Sequence, residues 1–153
     1  MAKPDVPGQA KLAEQAELYL RSMQQLHEGV VRQLSPILTE KHGMDLRNYF
    51  ILALVGKGCV YPGAISQSLH LPNSIITRHL DQLVARGFLE RDLDPQDSRR
   101  IKLSLTRVGR RVSKEASQTF TTILGSRLKR VSPGRRKDFL STLSELANDM
   151  DHS

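Results

Sequence analysis

Residues 69–106 read Leu69-His70-Leu71-Pro72-Asn73-Ser74-Ile75-Ile76-Thr77-Arg78-His79-Leu80-Asp81-Gln82-Leu83-Val84-Ala85-Arg86-Gly87, then Phe88-Leu89-Glu90-Arg91-Asp92-Leu93-Asp94-Pro95-Gln96-Asp97-Ser98-Arg99-Arg100-Ile101-Lys102-Leu103-Ser104-Leu105-Thr106. Pro72 closes one short helix, and Asn73 is placed to cap the next through its side-chain oxygen. Ile76, Leu80 and Leu83 recur at helical spacing and form a stripe for a core. Ser74, Ile75, Thr77, Arg78 and Gln82 then fall on or near the opposite face. Gly87 suits the helix end. Ile101, Leu103 and Leu105 alternate with Lys102 and Ser104, as in a strand. The turn Asp94-Pro95-Gln96-Asp97 separates that strand from the one before it. A helix with an arginine on its polar face runs into a hairpin whose turn ends in Arg99 and Arg100. This is the layout of a winged helix-turn-helix, which sets one helix in the DNA major groove and a hairpin beside it.

Outward from this unit the chain is helical. Towards the N-terminus, Leu12, Ala16, Tyr19, Met23, Leu26, Val30, Leu34 and Ile37 step by three and four along one stripe. Pro36 falls inside it, which predicts a kink or a restart with Ser35 as N-cap. Gly43 suits the end of this helix, and Asp45 can cap a second from Leu46 to about Val55, with Leu46, Tyr49, Phe50, Ala53 and Leu54 inward. A short helix over Pro62–Leu69 follows. After the hairpin, Thr106 can cap a long helix carrying Val108, Val112, Ala116, Phe120, Ile123, Leu124 and Leu128. Ser132-Pro133 restarts a last helix with Phe139, Leu140, Leu143, Leu146 and Met150. The expected fold is mainly α (α+β). Residues 1–8 form a loose tail and 9–153 a single unit, with the winged domain at 45–106 and flanking helices at 9–43 and 107–151. The flanking stripes need a partner surface, and a second copy of the chain supplies one.

Composition narrows the partners. The 153 residues carry a net charge of +7 and a single cysteine. That excess charge favours a polyanion. Aromatic residues are 5% and Trp is absent, which disfavours stacking platforms for single strands. One cysteine permits no internal disulfide and no cysteine-rich zinc site. No run of 18 apolar residues and no signal-peptide h-region is present, so a cytoplasmic, membrane-free protein is expected. From Leu71 to Arg111 there are nine basic residues against five acidic.

The polar helix face has chemistry suited to base edges. Arg78 can offer two parallel donors to guanine, and Gln82 can pair with adenine. Thr77 and Ile75 can touch a thymine methyl. Asn73, Ser74 and the helix-start amides suit a phosphate. At the wing, Arg99 can enter a narrow minor groove. Arg100 is either a second contact or paired with a carboxylate such as Asp94. Asp97 can orient a guanidinium by a charge-assisted pair. A polar helix face is more often merely solvated, but here the turn, hairpin and charge occur together.

These motifs resemble the multiple antibiotic resistance regulator (MarR) family of bacterial transcription factors. The resemblance spans roughly residues 10–150 and is strongest at Thr77–Leu83, Arg86–Arg91, Asp94–Arg100 and Leu103–Thr106. It implies a homodimer on a pseudo-palindromic operator of double-stranded DNA, often a repressor relieved by a small-molecule effector or an oxidant. It also implies an effector pocket between the helical dimer region and the winged domain. Tyr61 departs from the pattern, since it stands before Pro62 where a Ser or Thr cap is usual.

Other chemistry is poorly supported. Gly56-Lys57-Gly58 lacks the ending of a phosphate-cradling loop, and no pair of histidines has zinc spacing. No catalytic constellation, cofactor or metal site is expected. His79 reads as packed or phosphate-facing. Cys59 is a candidate redox sensor, although a lone cysteine beside Val60 is more often an inert thiol. The competing reading is a winged-helix protein-interaction module with incidental DNA affinity. The arginine wing and polar helix face together count against it.

Overall fold

The computed structural model describes residues 7–151. The order is α1 (Pro7–His42), α2 (Leu46–Gly56), α3 (Pro62–Leu69), α4 (Asn73–Ala85), β1 (Leu89–Asp94), β2 (Asp97–Leu105), α5 (Arg107–Leu128) and α6 (Pro133–Asp151). Of the expected tail, residues 1–6 lie outside the described residues, while Pro7 and Gly8 already belong to α1.

Local chemistry accounts for the boundaries. Asp45 caps α2, its Oδ1 accepting the Asn48 amide at 2.8 Å. The Thr106 hydroxyl accepts the Gly109 amide at 2.9 Å and donates to the Gly87 carbonyl at 2.6 Å. One side chain thus caps α5 and satisfies an orphan carbonyl past the end of α4. Gly87 takes φ 69°, the left-handed conformation that ends α4 and turns the chain into β1.

Three expectations fail in whole or in part. The cap of α4 is Pro72, with no side-chain bond, and Asn73 is already the first helical residue. The Pro72 carbonyl accepts the amides of Ile75 and Ile76, so the helix begins one residue early. Nor does the helix restart at Pro36: of the two alternatives the restart is excluded, since α1 runs from Pro7 to His42 with Ser35 inside it. Leu34 and Leu38 flank the proline and are 2% and 0% exposed. Burying two leucines contributes roughly 3–6 kcal/mol, enough to offset the ~3 kcal/mol a helical proline costs. Finally, the fully buried face of α2 is Asn48, Ile51, Leu52 and Val55; of the residues expected inward, Leu46, Tyr49 and Leu54 pack against the core half-buried, and Phe50 is exposed. The helix is apolar nearly all round, so its period could not select a face.

The core sits where α2, α3, α4 and the hairpin meet. Ile51, Leu52, Ile65, Ile76, Leu80, Leu83, Leu89 and Leu103 are almost wholly buried there. Leu34 and Leu38 of α1, and Val112, Ala116 and Phe120 of α5, complete the same cluster. Phe120 meets Tyr49 edge-on, with centroids 4.5 Å apart. β1 and β2 pair antiparallel, Leu89 opposite Leu105 and Leu93 opposite Ile101, with an irregularity at Leu93/Asp94. In contrast, α6 has no buried residue among those described.

Candidate nucleic-acid interface

The stripe Ile76, Leu80 and Leu83 is buried as the spacing requires. That burial turns the rest of α4 outward. Asn73, Ser74, Thr77, Arg78 and Gln82 are exposed, and Ile75 is half-buried at the edge. The Thr77 hydroxyl donates to the Asn73 carbonyl at 2.9 Å. The turn before α4 is held by His70 in the left-handed region (φ 49°) and by Ser66 Oγ donating to the Leu71 carbonyl at 2.6 Å.

The back of α4 is fastened by polar contacts that periodicity does not reveal. His79 is 3% exposed, and its Nδ1 meets Asn48 Oδ1 at 2.7 Å. The carbonyl oxygen of Asn48 accepts only, so Nδ1 carries the proton. This bond ties α4 to α2. Arg91 of β1 pairs with Asp81 of α4 at 2.7 Å, tying the wing to the same helix. His79 is thus packed and does not face a phosphate.

The wing differs from expectation in detail. Asp97 does not hold a guanidinium; its Oδ1 accepts the Arg99 backbone amide at 3.1 Å and shapes the turn. Arg100 does not reach a carboxylate as its nearest partner. Its guanidinium carbon lies 3.8 Å from the ring centroid of Tyr61. Tyr61 Oη donates to Asp94 Oδ2 at 2.5 Å, and Asp94 Oδ1 accepts the Gln96 amide at 2.9 Å. The hydrogen bond to Asp94 pushes the Tyr61 hydroxyl above the usual tyrosine value. The same bond, helped by the Gln96 amide, holds the Asp94 carboxyl below its usual range. Tyr61 is the residue that sequence reasoning undervalued. It was visible as a departure from a capping pattern, but its partner lies 33 residues away. The Leu103 amide also donates to the Val60 carbonyl at 2.8 Å, fastening β2 to the start of α3.

A cavity of about 470 Å³ lies between α1, α2 and α5, with Val30, Leu34, Tyr49, Phe50, Phe120 and Leu124 among its walls. Cys59 is half-buried against the core. Among the described residues no cluster of three or more metal-ligating side chains occurs, and no helix is long and apolar enough to cross a membrane.

Residues 48–101 match the model of the MarR family. An uncharacterised HTH-type transcriptional regulator of Bacillus subtilis, YwhA, is 25% identical over 129 residues, covering 84% of this chain and 87% of that protein. The fold is similar to that of the transcriptional regulator BldR from Sulfolobus solfataricus, with a TM-score of 0.78 at 20% identity, over 91% of this chain and 98% of that one. It is also similar to a mutant MarR from E. coli complexed with operator DNA, with a TM-score of 0.70 at 21% identity, over 85% and 91% of the two chains.

Proposed function

We propose that this chain, whose residues 48–101 match the MarR family model, is a transcriptional regulator of that family that works in the cytoplasm as a homodimeric repressor on a pseudo-palindromic operator, released by a small apolar molecule. One observation carries the DNA reading. The exposed face of α4, with Ser74, Thr77, Arg78 and Gln82, stands free on a fold whose wing presents Arg99. Asn73, Ser74 and the first amides of α4 take phosphate. Arg78 and Gln82 read base edges, Thr77 and Ile75 meet a thymine methyl, and Arg99 enters the minor groove. The operator complex of the E. coli relative supports this reading. Selection of bound genomic fragments followed by sequencing tests it. Enrichment of an inverted repeat is the expected result, and equal affinity for all duplexes would exclude it.

The dimer reading rests on exposed apolar surface. Leu12, Leu18, Leu20 and Leu26 of α1 are more than half exposed, as is Met150 of α6, and Phe139, Leu140 and Leu146 are each above 40%. Two helices at opposite ends of the chain thus carry apolar faces that one copy does not cover. A second copy covering them joins two winged domains at a set distance, as paired half-sites require.

The effector reading rests on the cavity. Its volume falls in the range of small-molecule sites. No Lys, Arg, Asp or Glu lines it, and His27, Tyr49, Ser117 and Thr121 supply its polar groups. Burying an anion there without a cation is costly. Neutral aromatic molecules therefore fit better than aromatic acids. Its position between α1 and α2 lets an occupant shift the recognition helices relative to the dimer helices. Anisotropy of an operator complex titrated with paired neutral and carboxylate aromatics decides the matter. Release by the neutral member alone is expected.

A further inference from the structure

We propose that Tyr61 is a positioning residue for DNA binding: it withholds Arg100 from DNA and presents Arg99. The inference rests on the DNA-binding reading above. Tyr61 stands in extended conformation (φ −106°, ψ 132°) before Pro62 and makes no side-chain cap to α3. Its side chain instead spans to the tip of the wing. There its hydroxyl donates to Asp94 Oδ2 at 2.5 Å, while Asp94 Oδ1 holds the Gln96 amide. Both carboxylate oxygens are engaged, so the end of β1, the turn and the start of α3 form one unit. Asp94 is only 5% exposed, which protects that unit from water.

The ring does a second thing. Arg100 lies over it with the guanidinium carbon 3.8 Å from the centroid. Of the two arginines it is Arg100 that stacks on the ring, while Arg99 borders the same groove with an exposed side chain and has its backbone amide fixed by the Asp97 carboxylate. Two adjacent arginines thereby acquire different tasks. The choice between them is made by a side chain far away in sequence. A Ser or Thr at position 61 would cap α3 but could not span to Asp94 or support Arg100.

A double-mutant cycle on the selected operator tests this, read by anisotropy over a salt series with the full-length protein. Tyr61→Ser supplies the missing cap. The cap gained and the Asp94 bond lost oppose each other in stability, so it is expected to stay folded with a cooperative melt yet bind about tenfold more weakly, because the wing loses its preset orientation. Arg99→Ala should weaken the native protein strongly and the Tyr61→Ser protein about twofold at most, since a disoriented Arg99 has little left to lose. Tyr61→Phe, which keeps the ring, should recover part of the loss. A purely structural Tyr61 would give additive effects in the cycle, and that result overturns the proposal. Charge removal gives an independent readout that needs no change at Tyr61. Arg99→Gln should lower the salt slope by about one unit, and Arg100→Gln should leave it near the native value. Equal slope changes for the two arginines would also overturn the assignment. Should the native protein show no sequence preference at all, the DNA-binding reading itself falls.

Discussion

Gly109 of α5 packs so closely on the Phe88 carbonyl that no β-carbon fits between them. That carbonyl also accepts the Thr106 amide at 3.1 Å, so the backbone there has little freedom to move. Gly109→Ala should therefore destabilise the protein by about 1–3 kcal/mol, although the same change in an open helix stabilises by up to ~1 kcal/mol. Gly125, in the same helix, is the control. Nothing lies within 4 Å of where its β-carbon would be. Thermal melts of the two variants should move in opposite directions.

Base reading and groove anchoring should separate by salt and sequence. Arg78 is exposed on α4. Arg78→Ala should cost about 1–3 kcal/mol on the selected operator and much less on random duplex. Asp97→Ala should weaken operator binding more mildly than Arg99→Ala, because the arginine stays and only its backbone loses the 3.1 Å tie. Equal losses for Arg78→Ala on both duplexes would exclude base reading.

The terminal helices should control assembly. Leu140 is 44% exposed and Leu143 half-buried on a helix with no buried residue of its own. Light scattering should find the native chain dimeric at micromolar concentration. Charged residues at both positions should give monomers or aggregates. A stable native monomer would exclude the dimer.

The Tyr61–Asp94 bond should set limits of pH on the wing. The Asp94 carboxyl is held below its usual value, chiefly by the Tyr61 hydroxyl. Its contribution is present above the unfolded value of about 3.9 and is lost as pH falls through the lower folded value. The Tyr61 hydroxyl is raised, chiefly by Asp94. Its contribution is present below about 10 and is lost as pH rises through the higher folded value. Between those limits the clamp is insensitive to pH. Amide exchange at Gln96 and Arg99, corrected for intrinsic rates, should show constant protection from pH 5 to 9 and a decline in acid. Tyr61→Phe should shift the onset of the acid decline upward.

Much of this molecule was legible in one dimension because its signals are local. The stripe Ile76, Leu80 and Leu83, the caps Asp45 and Thr106, and the turn at Pro95 each depend on neighbours within a few residues. The same holds for the outward placement of Ser74, Thr77, Arg78 and Gln82, which follows from helical geometry once the buried stripe is known. Whether α1 continues through Pro36 was not legible, because it depends on what Leu34 and Leu38 bury against. Nor was the core face of α2, where apolar residues on every side left no period to read. The start of α4 at Asn73 was misjudged by one residue, since Asn is a common cap and the Pro72 carbonyl does the work instead. Sequence by itself determined the winged helix-turn-helix, its outward helix face and its two wing arginines. Only the tertiary structure decided which arginine lies over Tyr61, a residue that itself reaches Asp94 across 33 residues. Spacing along a chain records periodicity, and a pair brought together by folding leaves no period behind.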